Sequence, residues 1–221
     1  MTVESLSDRI AAVAIPETLL DHAPELFGVY QDYARAVRES AEESLSPRLY
    51  AMVRLAVALA IPSAPLAREA RRLAEERATA ADIAGAVNAA SHLRSGAAIA
   101  YGRLVFKLME GDQSGSAEAG TRSQIARDRE YMTKLRKASP KAFDAMARLT
   151  TVRQTHSVIT PLEYEMIAIA IATVTQCVYC LEVHGNKAKE VGATEQQIAD
   201  AVHIAIAARY EATVLEWAAL G

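Results

Sequence analysis

Four side chains in the second half of this chain have the types and spacing to do chemistry together. Cys177 and Cys180 stand in the run Thr175-Gln176-Cys177-Val178-Tyr179-Cys180-Leu181-Glu182-Val183-His184, a CxxC with a histidine four residues on. In an α-helix, residues three apart have Cα atoms about 5 Å apart, so such a pair closes into a disulfide and reopens with little backbone movement. A loop this short removes little entropy from the unfolded chain, which makes reversible redox chemistry a better reason for the pair than stabilisation. On one helix, His184 would lie one turn past Cys180 and two past Cys177, rotated about 40° and 20° from them. An imidazole titrates near neutral pH, so it can take a thiol proton or hold a thiolate as imidazolium. Glu165 lies twelve residues before Cys177, at the head of the apolar run Met166 to Val174, where a carboxylate is costly without a partner. A hydrogen bond from His184, direct or through water, would complete a Glu-His-Cys proton relay.

These groups have to be held by helices. The chain is rich in Ala, Leu, Glu and Arg, poor in aromatics, and has no Asn-Gly or Asp-Gly hairpin turn, so the expected fold is all-α. Thr173 or Thr175 is expected to cap a helix starting near Gln176, placing both sulfurs in its first turns, where free N–H groups and the helix dipole favour thiolate. Ala80 to Leu93 carries Ile83, Ala86, Val87, Ala90 and Leu93 at helical spacing, with Thr79 as its cap. A Gly/Ser-rich stretch at 111–123 reads as a linker between an N-terminal unit, 1–110, and a C-terminal unit, 124–221.

The two units read as copies of one helical repeat. Ser46-Pro47-Arg48-Leu49-Tyr50-Ala51-Met52 aligns with Thr160-Pro161-Leu162-Glu163-Tyr164-Glu165-Met166, and after a one-residue slip Ala78 to Ala84 aligns with Ala193 to Ala199. Pro24 and Phe27 match Pro140 and Phe143. In this register the first half has Ala51 for Glu165, Ser63 for Cys177, Leu66 for Cys180 and Ala70 for His184. One copy keeps the scaffold and the other carries the site.

With 221 residues, 51% of them hydrophobic, the chain is long enough to bury a core. A net charge of -3, with acidic and basic residues interleaved, offers no basic face to nucleic acid or anionic lipid. The acidic, polar start lacks the features of a secretory signal, and the longest apolar runs fall short of the roughly 20 residues that span a bilayer. The expectation is a soluble, cytoplasmic protein with no membrane and no nucleic-acid partner.

The segment from Pro161 to Ala208 resembles the core motif of the alkylhydroperoxidase AhpD-like, or carboxymuconolactone decarboxylase, superfamily: a glutamate, eleven residues, CxxC, three residues and a histidine, met by Glu165, Cys177, Cys180 and His184. Lys187-Ala188 and Val191 to Glu195 resemble the usual continuation. The resemblance implies an AhpD-like helical fold and a thiol peroxidase or disulfide oxidoreductase. Cys180 would attack a hydroperoxide, Cys177 would resolve the sulfenic acid, and Glu165 with His184 would relay protons. It implies no bound cofactor and no metal, but an external dithiol reductant protein, for example a lipoyl-linked one. It also implies a homotrimer or higher homo-oligomer. Tyr179 stands where the best-known peroxidases of the family have a second histidine, a departure from the family's pattern.

Three other readings compete. Cys177, Cys180, His184 and Glu165 could ligate zinc, although structural sites usually take ligands from two separated pairs. A carboxymuconolactone decarboxylase-like lyase would need anion-binding residues and no paired thiols, and a non-catalytic redox sensor would change its assembly on oxidation. Tyr179 reads equally as a donor near the sulfurs or a pocket wall. His203 reads as a satisfied core or interface residue, Lys187, Lys189 and Glu190 as a solvated face, and Trp217 as a terminal packing anchor. His22, His92 and His156 have no partner at interpretable spacing.

Overall fold

The computed structural model describes residues 15–102, 104–109 and 122–220, and every regular element among them is a helix. They run α1 (Glu17–His22), α2 (Pro24–Ser44), α3 (Pro47–Ala60), α4 (Ala64–Arg77), α5 (Ala80–Gly102), α6 (Leu104–Met109), α7 (Arg122–Ala138), α8 (Pro140–Thr155), α9 (Pro161–Val174), α10 (Val178–Glu190) and α11 (Glu195–Ala219). The expected linker falls outside the described residues except for Arg122 and Ser123, which open α7.

Local chemistry sets the helix starts. Ser46 and Thr160 each accept the N–H three residues on, and a proline at the first helical position follows both. Thr160 with Glu163, and Thr194 with Gln197, form capping boxes that satisfy donors in both directions. Thr79 caps α5 as expected, and Asp82 returns the bond to the Thr79 N–H. The starts of α3, α4 and α5 at 47, 64 and 80 fall at the positions that the sequence register pairs with 161, 178 and 195, where α9, α10 and α11 begin.

The core is built around α3 and α9. From Tyr164 to Ala172 every residue of α9 is buried, packed between α3, α5, α10 and α11. Met52, Met166, Ile167, Ile169, Ile171 and Ile204 supply the bulk, each stabilising by roughly 1.5–3 kcal/mol on burial. Alanines 51, 56, 168, 170, 205 and 207 are fully buried and let the helix axes approach closely. In α5 the apolar stripe sits differently from the sequence expectation. Val87 is exposed, whereas Gly85 and Ala89 are buried, because the 157–159 segment lies on this face. A Cβ at Gly85 would stand 2.6 Å from Ile159 Cγ2 and 2.9 Å from Val158 Cγ2, so glycine is what lets that segment settle on the helix.

Arg48 ties the two halves together, bonding Glu163 on α9 and, at 2.7 Å, Asp82 on α5. Hydrogen bonds from Arg48, and then from Thr79, hold the Asp82 carboxyl well below the usual carboxylate range. A depressed carboxylate pKa contributes stability that is fully present above the unfolded value, about 3.9, and is lost as pH falls toward the folded one. Thermal unfolding followed by circular dichroism between pH 5 and pH 2 should therefore show a steeper loss of Tm in the native sequence than in Asp82→Asn, which starts lower and titrates less.

Candidate active site

The turn between α9 and α10 shapes the site. Gln176 lies in the left-handed region at φ 53, and its N–H and that of Cys177 donate to the Thr173 and Ala172 carbonyls. Together these bonds form a Schellman closure of α9. The left-handed geometry costs a non-glycine residue roughly 1–2 kcal/mol, which the surrounding structure must offset. The first half has Pro62 at this register position, and proline cannot take that geometry; there α3 leaves through an extended Ile61.

Consequently α10 begins at Val178, two residues later than expected, and neither threonine caps it. Thr173 and Thr175 instead bond back to the Ile169 and Ile171 carbonyls and finish α9. The cap is Cys177 itself, whose Sγ accepts the Cys180 N–H at 3.3 Å. Ser63, its register partner, caps α4 in the same way. Cys177 and Cys180 are joined as a disulfide with Cα atoms 5.2 Å apart. They differ in access: Cys177 is 2% exposed, against Ala97 and Ala100 of α5, while Cys180 is half-buried.

The other two predicted residues meet one turn along. His184 Nδ1 lies 2.7 Å from Oε2 of Glu165, which is 6% exposed inside α9. A carboxylate accepting the Nδ1 proton fixes the ring and leaves Nε2 for a reacting proton. Tyr164 flanks the pair, its ring 6.1 Å from the imidazole and edge-on to it, and burial pushes its hydroxyl up to about 12. Tyr179 packs with the cysteines. Among the described residues, no group of three or more His, Cys, Asp or Glu side chains is arranged to hold a metal ion.

Residues 140–220, which hold all four of these side chains, match the model of the Carboxymuconolactone decarboxylase family. A Paracoccus denitrificans protein called uncharacterized protein 4 in cox locus is 37% identical over 62 residues, which cover 28% of this chain; the chain spans about half (56%) of that relative. Over 96% of both chains the fold is similar, at TM-score 0.63 and 19% identity, to a Burkholderia xenovorans crystal structure named for a gamma-carboxymuconolactone decarboxylase subunit. At that identity the likeness speaks for the fold alone. The family segment thus contributes α8 to α11, and α5 from outside it closes the site.

Outside the CxxC-His-Glu set, sequence reasoning missed a pocket of about 460 Å³ between α5, α8 and the 157–159 segment. His92, Arg153, His156 and Tyr164 line it. Arg153, in the last turn of α8, and His156, which caps its end, are three apart, but only the fold brings His92 to them, so spacing carried no signal. His203 is exposed rather than in the core and shares a hydrogen bond with the Tyr33 hydroxyl. His22 bonds the Thr18 carbonyl. Trp217 is half-exposed at the end of α11, and Lys187, Lys189 and Glu190 are exposed. No described helix is long and apolar enough to cross a membrane.

Proposed function

We propose that this protein is a thiol-dependent oxidoreductase of the AhpD-like type, reducing a hydroperoxide or a disulfide through a Cys177–Cys180 cycle. The observation that carries the reading is a disulfide at the start of α10 with one sulfur buried and one accessible, and the Glu165–His184 pair one turn further on. In the peroxide reaction the Cys180 thiolate attacks the outer peroxide oxygen, the O–O bond breaks, and the departing alkoxide takes a proton from the His184 imidazolium. Cys177 then attacks the Cys180 sulfenic acid, releasing water and forming the disulfide. An external dithiol restores both thiols and is itself oxidised to a disulfide. Its thiolate enters at the accessible Cys180 sulfur, and Cys177 leaves as a thiolate stabilised by the Cys180 N–H. The matched cap positions support descent from a duplicated unit. Exposed Leu26, Val29 and Ile206 support assembly into a homo-oligomer.

Hydroperoxide consumption driven by a small dithiol is the test, with intact mass read before and after oxidation. The expected result is catalytic turnover and a mass loss of two hydrogens. Thiols that neither oxidise nor alkylate, with no turnover, would sink the reading. A decarboxylase-type lyase is the second reading, supported by the cationic pocket and the family's name; its activity would survive replacement of both cysteines by serine.

Glu165→Gln keeps the side-chain volume but not the charge that holds the imidazolium. It should lower kcat about 10²-fold with KM little changed, and flatten the neutral limb of the pH–rate profile. Unchanged kcat and pH profile would remove Glu165 from the relay while leaving the dithiol cycle standing.

A further inference from the structure

We propose that the pocket between α5, α8 and the 157–159 segment binds the carboxylate of a medium-length organic anion through Arg153, selecting acidic substrates for the adjoining dithiol. This rests on the oxidoreductase reading for the substrate's reactive end, but not for the binding site. Arg153 lies with its guanidinium carbon 3.8 Å from the centre of the Tyr164 ring. Its Nε is buried with no hydrogen-bond partner, and among the described residues no carboxylate pairs with it. A guanidinium that lines a pocket with no carboxylate partner is what an anion from outside would satisfy, and a planar carboxylate matches its geometry.

The surroundings favour negative charge. Among the described residues no Asp or Glu lines the pocket, whereas His92 and His156 do. Burial first, then the charges of Arg153, His184 and Lys187, push the His92 imidazole down, which favours its neutral, hydrogen-bonding form and makes Arg153 the fixed positive charge of the pocket wall. Leu149, Val152 and Val158 add an apolar, exposed rim suited to a hydrocarbon body.

The pocket borders the chemistry at Tyr164, which lines it. Tyr164 touches Arg153 on one side and His184 on the other. Helix α5 supplies His92 to the pocket and Ala100 to the packing around Cys177, about 12 Å apart along the helix axis. An anion whose carboxylate is held at Arg153, beside His92, would need a chain of about that length to run along α5 toward the sulfurs.

Binding to the full-length oxidised protein can be measured by calorimetry with octanoate, octanol and inorganic phosphate, which needs no turnover. Octanoate is expected to bind, octanol at least tenfold more weakly, and phosphate weakly or not at all. Arg153→Met should lose at least tenfold in octanoate affinity, and Arg153→Lys should recover part of it. Leu149→Asp, on an exposed rim residue, should lose a similar factor without disturbing the core. Equal binding of octanoate and octanol, tight binding of phosphate alone, or octanoate binding indifferent to both Arg153→Met and Leu149→Asp would overturn the proposal. Arg153-dependent octanoate binding in a protein without thiol turnover would uphold this site and refute the oxidoreductase reading. Peroxidase turnover with no octanoate binding would do the reverse.

Discussion

Cys180→Ser is expected to abolish dithiol-dependent turnover, a loss on the order of 10⁴-fold or more, while Cys177→Ser stops after a single oxidation. The asymmetry follows from access and hydrogen bonding. Cys180 is the sulfur that substrate and reductant can reach, and it stands one turn before His184, which handles the proton. Cys177 is buried behind it, and its Sγ accepts the Cys180 N–H, which suits a group that resolves and leaves as thiolate. Losing a nucleophile removes the covalent route entirely, whereas losing the resolving thiol leaves the first step intact. Mass spectrometry after stoichiometric peroxide should find one added oxygen on Cys180 in the Cys177→Ser protein, trapped as sulfenic acid or its dimedone adduct. In Cys180→Ser, Cys177 should stay reduced because the solvent cannot reach it. If Cys177 is the residue that oxidises first in the two single variants, the assigned roles exchange, and the first attack takes place on the buried sulfur after local opening.

The grouping of these four side chains was legible in sequence because they lie on two consecutive helices and the turn between them. The spacing from Cys180 to His184 is one helical turn, and a lone Glu165 in the apolar run had to find a polar partner; His184 takes it at 2.7 Å. The all-α fold was legible from composition and caps for the same local reason. The precise helix start was not. Capping threonines looked sufficient, but the choice between Thr175 and Cys177 as cap depends on Gln176 taking a left-handed conformation, which single-residue propensities disfavour and the Schellman closure enforces. Nor was the Arg153 pocket legible, since His92 and Tyr164 are 72 positions apart and meet only because Gly85 lets the 157–159 segment lie on α5. Long-range contacts of this kind leave no periodicity to read.

The largest effect on stability is expected from Arg54. It lies on α3 and makes two bonds, 3.2 and 2.6 Å, to Glu211 of α11, which is 3% exposed. In the register Arg54 faces Ala168, so the first half carries a buried ion pair where the second has a packing alanine. Nearby, burial raises the hydroxyl pKa values of Tyr30 and Tyr50, keeping both neutral beside the pair; Tyr30 donates to the Ala207 carbonyl at 3.3 Å. Arg54→Ala strands the Glu211 carboxylate in an interior that cannot hydrate it, which should cost about 3–5 kcal/mol and lower Tm by roughly 6–20 °C for a chain of this size. Removing both charges in Arg54→Met/Glu211→Leu takes away the stranded carboxylate and refills the volume, so most of the loss should return. Denaturant unfolding of the two single variants and the double variant measures the coupling. Turnover per folded molecule should match the native protein in all three, because the pair touches neither sulfur nor the Glu165–His184 bond. An Arg54→Ala protein of native stability would mean that water reaches Glu211, and that the buried pair contributes little to holding α3 against α11.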